Sequence, residues 1–542
     1  MLKKFFDPTI SITVPSELIA KGKNVVNRYG IVFLMLVLSL ISIGAFYFYL
    51  QNGLGLSYND ARSHLDIGRR AVEGLKPGLA QLGSVWLPLP HLLMIPTIWN
   101  DFMWHSGLSG ALQSMISFVA TGGLIYYYLK RLNVNVLGRV VAVAVFLANI
   151  NVLYMQSTAM TELLLLATMT AACFELLNFF KSEKLLSLIK ASFWVMLSTL
   201  IRYDGWFLLA VSTIIVTIYT YKKIGFRGAE ARFLFFATVG ALGVVLWLLW
   251  NLIIFKDPLY FIYGPYSAYA QQLQLEAAGN LETKKNIIFS TQVYLYALAY
   301  NSNALVLVLG AIGAIVFYLD KKIKTAYKIA ALALFAPLVF NILALFMGQS
   351  VLFIQGLSGN TWFNVRYGLM LMPSIAIFIG YLIGRAQKMK LLIIGILLFV
   401  AFFTFVNHDA VTIDDAQVGS SQKNVSEVSG WLKNNAGDDG FILISAASHD
   451  AIIFSSGYPM KKFIHEGTGN YWLAATSSPD RWARWIIMRT NDLNDQTFKL
   501  LKDNSGLARY DKVGSYPFAD IYQLKKEYVK NLNTEASLGP QR

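Results

Sequence analysis

Along this chain, hydrophobic positions cluster into runs close to the thickness of a bilayer, separated by short polar breaks. About 20 consecutive apolar residues are enough for a helix to cross the hydrocarbon core. Such runs lie at 31–50, 108–129, 137–154, 160–180, 190–202, 205–221, 233–255, 301–319, 326–347, 367–384 and 391–407. The pattern predicts an α-helical polytopic membrane protein of about 11 spans, the fifth short and the break before the sixth tight. Beyond 407 the periodicity becomes that of a soluble fold. It predicts an amphipathic helix at 424–435, a buried strand at 441–446, a strand at 484–488, a helix at 492–503 and a strand pair within 507–524, broken at Ser515-Tyr516-Pro517. The organisation expected is a membrane module over 1–407, a small C-terminal α/β domain over 408–530 that closes its own core, and a loose tail over 531–542.

Orientation follows from the basic residues. Lys and Arg collect in alternate connections, such as Lys222, Lys223, Arg227 and Arg232 or Lys321, Lys322, Lys324 and Lys328, whereas Arg202 and Arg366 stand almost alone in intervening ones. Cytoplasmic loops carry that excess, so the N-terminus is expected inside and, after an odd number of spans, the α/β domain on the exoplasmic side. The formal charge of +15 has the same origin and suits anionic lipid headgroups; nothing in it points to nucleic acid. A composition of 56% hydrophobic and 14% charged residues excludes an ordinary soluble protein. The single cysteine, Cys173, sits in an apolar run and excludes a disulfide framework or a cysteine-based zinc site. The run at 31–50 is too long for a cleavable signal.

The first exoplasmic loop, 51–107, is far longer than a connector needs to be. It holds a helix-like stretch at 61–73 and a run with Pro88, Pro90 and Pro96 among Trp86, Trp99 and Trp104, which suits a helix lying in the interface. Polar groups then interrupt apolar sequence wherever a helix end is predicted on this same face. Asp60 follows the first span, Glu162 opens the fourth, Arg202-Tyr203-Asp204 occupies the break between fifth and sixth, and Arg366-Tyr367 opens the tenth. Each has an ordinary explanation: Asp60 as a solvated loop acid, Glu162 as a first-turn acid facing a helix dipole, the arginines as interfacial anchors. Together they place acids and two guanidinium groups at one rim of the membrane, where ionised side chains are costly unless they act.

This layout resembles the GT-C superfamily of polyprenyl-phosphate-sugar glycosyltransferases, which includes the protein O-mannosyltransferases and the aminoarabinose transferases acting on lipid A. The resemblance covers about 30–410. It rests on Asp60, the Pro-rich stretch leading into Gly107-Leu108-Ser109, Thr161-Glu162, Arg202-Tyr203-Asp204-Gly205-Trp206, and Arg366-Tyr367 followed by Pro373. Many members carry adjacent Asp-Glu where this chain has Asn59-Asp60-Ala61-Arg62, which argues against a protein O-mannosyltransferase in particular.

The resemblance implies an integral membrane hexosyl- or pentosyltransferase in a prokaryotic plasma membrane, with its active site on the exoplasmic side. Transfer from a polyprenyl-phosphate sugar to a lipid, glycan or protein acceptor would be inverting. Asp60 would be the catalytic base, Arg366 and Arg202 would bind the leaving phosphate, and Glu162 and Asp204 would hold sugar hydroxyls or orient the arginines. His64, Tyr203, Tyr58 and Trp86 are the remaining candidates for lining the substrate. No cofactor is demanded; a divalent cation is the one candidate, with Asp60, His64 and His91 as its ligands. The α/β domain is expected to assist acceptor binding and to hold no catalytic group. The alternatives are a secondary transporter, which would place charges near the midplane of repeated halves, and a polymerase or ligase using polyprenyl-diphosphate glycans.

Overall fold

Within a bilayer, backbone polar groups can be satisfied only inside a helix or a closed barrel, and the apolar runs of this chain are helical throughout. The computed structural model describes residues 16–533 apart from 265–266, 278, 280, 419–421 and 438, so nearly all of the tail expected over 531–542 lies outside the described residues. The chain opens with α1 (Ser16–Gln51), α2 (Asn59–Arg70), α3 (Leu89–Ile98), α4 (Asp101–His105) and α5 (Leu108–Arg131). There follow α6 (Val136–Leu147), α7 (Ile150–Met155), α8 (Glu162–Ser182), α9 (Leu185–Thr199) and α10 (Asp204–Phe255). The second half holds α11 (Tyr260–Tyr263), α12 (Ala268–Ala277), α13 (Ile287–Ser302), α14 (Ala304–Leu319), α15 (Thr325–Ala331), α16 (Ala336–Phe346), α17 (Met372–Arg385), α18 (Lys390–Asn407) and α19 (Val411–Val418).

Seven helical segments among the described residues are long and apolar enough to cross a membrane, or eight if the bent pair α13–α14 counts as one span. All eleven apolar runs fall on helices, and the two counts differ for local reasons. The third run is divided: α6 has 12 residues, and Asn149 caps α7 by accepting from the Val152 N–H. The fifth run is α9, 15 residues. The sixth and seventh share α10, 52 residues, which breaks at Gly225 (φ 78°, ψ −173°), a conformation that essentially only glycine adopts. The eighth run lies almost wholly on α14, which meets α13, a helix largely outside the runs, at a bend of 107° at Asn303, whose φ of 71° is left-handed and whose side chain accepts from the Leu305 N–H.

The C-terminal region adds α20 (Gln422–Asn435), β1 (Phe441–Ile444), α21 (Ala446–Ser456), β2 (Phe463–Ile464), β3 (Ala483–Met488), β4 (Tyr510–Ser515) and β5 (Asp520–Leu524). Its sheet has the order β2-β1-β3-β5-β4; β1 pairs parallel with β2 and β3, while β5 pairs antiparallel with β3 and β4. The α/β character expected from the alternation is therefore present. One face closes a core around Leu443, Ile486 and Trp482, whereas Ile442, Ile453 and Phe463 on the other belong to the same buried cluster as the membrane helices. The domain is docked on the first loop. Arg70 of α2 forms a buried ion pair with Asp450 of α21, Trp104 packs edge-on to Phe454 at 5.9 Å, and the Gln81 amide donates to the Gly467 carbonyl at 2.7 Å. Helix α19, which the sequence boundary at 407/408 gives to this domain, packs against α7, α13 and the turn at Val365–Leu371.

Candidate functional site

A membrane helix must begin at an interface, and the partial positive charge of its first turn favours an acid there. Three such first turns converge here: Asp60 on α2, Glu162 on α8 and Asp204 on α10. Arg202 comes from the break between α9 and α10, and Arg366 from the tight turn Val365–Leu371 preceding α17. That turn lies close on α13 because Gly368 has no side chain: a Cβ there would meet the Ala297 carbonyl oxygen at 2.3 Å.

The charged groups form one network. Arg366 donates from Nη2 to Asp60 Oδ2 at 2.6 Å and from Nε to Glu162 Oε1 at 3.1 Å. The same Glu162 oxygen accepts from Arg202 Nη1 at 3.1 Å, and Arg202 Nε lies 3.4 Å from Asp204 Oδ2. Each guanidinium also has aromatic faces beside it: Arg366 lies 4.9 Å from the Tyr58 ring and Arg202 4.9 Å from the Tyr367 ring. Burial is uneven, with side-chain exposures of 0% for Glu162, 4% for Asp204, 6% for Arg366 and 42% for Asp60. Asp60 is thus the acid of this set that faces outward. Glu162 Oε2 is buried and has no hydrogen-bond partner among the described residues.

Sequence reasoning missed a further carboxylate. Asp415, on α19, lies 3.9 Å from Arg366 Nη1 and is 3% exposed. Its Oδ2 accepts from the Tyr58 hydroxyl at 3.0 Å, and the Val365 backbone also bonds the carboxyl. The available signal was the adjacent pair Asp414-Asp415 directly after the last apolar run.

The other candidates sit beside this network. The His64 ring lies 4.3 Å from Trp86, and His64 Nδ1 bonds His91 Nε2 at 2.8 Å. Burial, reinforced by the charges of Arg202 and Arg366, pushes the His64 imidazole down to about 3, so it is neutral. Tyr203 points away from the charges; its hydroxyl donates to the Val85 carbonyl at 3.0 Å and its ring stacks on Phe261. The three candidate cation ligands do not converge. Asp60 is paired with Arg366 and the two histidines with each other, and among the described residues no group of three or more His, Cys, Asp or Glu could hold a metal.

An apolar cavity of about 480 Å³ lies behind the network, between α6, the α13–α14 bend, α17 and α18, with Val145, Leu397, Ala401 and Asn151 on its walls. A short chain of contacts separates it from Arg366. Asn151 Oδ1 accepts from the Thr412 backbone N–H and hydroxyl at 3.0 and 2.8 Å, the Thr412 carbonyl accepts from the Tyr58 hydroxyl at 2.8 Å, and Tyr58 lies against Arg366.

No family model and no curated protein matches this chain. Among solved structures, ArnT from Cupriavidus metallidurans bound to undecaprenyl phosphate aligns with a TM-score of 0.53 at 9% identity, covering 92% of this chain and 99% of ArnT. ArnT in the apo state aligns at 0.51 and 11% identity, covering 96% and 100%. An oligosaccharyltransferase from Archaeoglobus fulgidus aligns at 0.49 and 10% identity, covering 92% and 75%. The chain therefore has the fold of ArnT, a GT-C fold, as the resemblance read from the sequence implies.

Proposed function

We propose that this multi-pass membrane protein is a glycosyltransferase that moves a sugar, with inversion, from a polyprenyl-phosphate donor to an acceptor hydroxyl at the exoplasmic rim. One observation carries the reading: the exposed carboxylate of the network, Asp60, rests on the guanidinium edge that a phosphate would claim. Glu162 and Asp415 are buried and hold their positions around Arg366, whereas Asp60 can swing outward. An incoming donor phosphate would replace it on Nη2, and a planar guanidinium makes strong charge-assisted bonds to such a group. Displacement also frees Asp60 to act.

In the transfer step, the acceptor oxygen bonds to the anomeric carbon and the bond from that carbon to the phosphate oxygen breaks. The electron pair stays on the leaving phosphate, beside Arg366, and the acceptor proton passes to Asp60. General-base assistance of this kind contributes about 10²-fold to 10⁴-fold, and fixed cations at the departing charge add a comparable or larger factor. Glu162 Oε2, buried without a partner among the described residues, suits a sugar hydroxyl. The apolar cavity behind Tyr58 suits the first isoprene units of the donor, and the likeness to a protein solved with undecaprenyl phosphate supports that lipid class.

The test is transfer by the purified full-length protein from a panel of radiolabelled undecaprenyl-monophosphate sugars, with the corresponding diphosphates in parallel, to extracted membrane glycolipids. Transfer from a monophosphate donor, lost in Asp60→Asn, is the expected result. Activity confined to diphosphate donors would point to the polymerase or ligase alternative and overturn the reading.

A further inference from the structure

The charges of the network do not balance. Asp60, Glu162, Asp204 and Asp415 surround Arg202 and Arg366, an excess of two negative charges in a site read as receiving a phosphate. Three of the acids are within 3.4 Å of a guanidinium nitrogen, so much of their charge is spent on a direct contact. Asp415 stands off at 3.9 Å from Arg366 Nη1 and is held there by the Tyr58 hydroxyl and the Val365 backbone. Burial raises its carboxyl to about 6, with the Arg366 guanidinium opposing, so at pH 8 it is a carboxylate. Being 3% exposed, it is poorly screened and cannot move aside as Asp60 can.

The proposed reaction changes the charge of the phosphate. In the donor it is a diester with one negative charge; after the sugar leaves it is a monoester carrying about −1.5 to −2 at neutral pH. A site with an uncompensated arginine would bind that product more tightly than the donor and stall on it. We propose that Asp415 is a specificity-determining residue that biases the Arg366 site against the second negative charge of the polyprenyl monophosphate product and so favours its release. This inference rests on the glycosyltransferase reading above.

Asp415→Asn keeps an acceptor for Tyr58 and removes the charge; Asp415→Ser does the same if the first variant folds poorly, and Asp415→Glu restores the charge. Binding of three probes to the purified full-length protein would be measured at pH 8: undecaprenyl phosphate, its methyl diester, and undecaprenol. In Asp415→Asn the ratio of monoester to diester affinity should rise about tenfold to a hundredfold, as expected for one charge acting over roughly 6 to 12 Å at an effective dielectric near 20. Asp415→Glu should return most of the way to the wild-type ratio. An unchanged ratio in both charge-removing variants, with both phosphates still preferred to undecaprenol, overturns the role of Asp415 and leaves the donor reading standing. If the wild type binds undecaprenol as well as either phosphate, the donor reading fails, and this inference with it.

Discussion

At the scale of single residues, the pairing of Asp60 with Arg366 gives one carboxylate two consequences. Asp60→Asn should lower turnover by about 10²-fold or more, since the proposed base is lost. Donor KM should stay level or fall, because the phosphate no longer competes with a carboxylate for Arg366 Nη2. A variant of ordinary turnover would exclude Asp60 as the base. Arg366→Ala would leave the buried Asp415 without a guanidinium and Glu162 with Arg202 alone, at a cost of about 3–5 kcal/mol of stability, so Arg366→Lys is the more informative change. It should keep the fold but recover only part of kcat/KM, as an ammonium cannot make the two-pronged phosphate contact. His64 offers a test by pH. Its folded value of about 3 lies below the ~6.5 of a free imidazole, so its contribution is undiminished above that pH and is lost progressively as pH falls from about 6.5 toward 3. His64→Gln should therefore lose less thermal stability than wild type between pH 7 and pH 4.5. Asp450, raised to about 6 chiefly by burial, acts in the opposite direction over part of this window, which makes comparison at matched pH necessary. Asp60, Glu162, Arg202, Asp204 and Arg366 were legible in sequence because a charge amid apolar residues is conspicuous. Asp415 follows the last apolar run, where acids are common, and only folding back onto Arg366 distinguishes it.

At the scale of elements, the site is built from helix beginnings and from the breaks between helices. Gly225 makes a break away from the site, in the basic connection at 222–232, and its φ of 78° with ψ of −173° excludes most side chains. Gly225→Ala should cost about 1–3 kcal/mol, read as a lower melting temperature with turnover kept in the protein that stays folded. Gly368 should behave differently. A methyl group there meets the Ala297 carbonyl and the Asn301 amide, so Gly368→Ala must shift the turn that carries Arg366. Donor affinity should fall along with stability, and a loss of stability alone would show that the turn adjusts without moving the guanidinium. Apolar periodicity located most of the membrane helices and the breaks at 202–205 and 221–233, but not α13, α19 or the breaks inside the third and eighth runs. The bend at Asn303 and the division of the third run at Asn149 depend on single side chains capping the next helix, which a window of hydrophobicity averages away. The strand β2, two residues long, is likewise too short to show a period and exists because β1 offers it an edge.

For the molecule as a whole, the basic-residue asymmetry predicts that the α/β domain lies outside. Asp503→Cys, at a side chain 87% exposed, should react with a membrane-impermeant maleimide in intact cells, while the buried native Cys173 stays silent; labelling only after lysis would invert the topology. The domain closes part of its own core, as its alternation suggested, yet its other face is fastened to the first loop through Arg70, Trp104 and Gln81. Membrane class, helical runs, the α/β character of the C-terminal part and the charged residues that interrupt the apolar runs can all be read along the chain. These are properties of composition and period, which act locally and can be summed along a chain. That Glu162 bridges both arginines, that Asp60 masks Arg366 and that Asp415 stands behind it emerges from folding alone. Those contacts join residues separated by as many as 306 positions, and their geometry depends on how the breaks between helices aim each end, which no local pattern records.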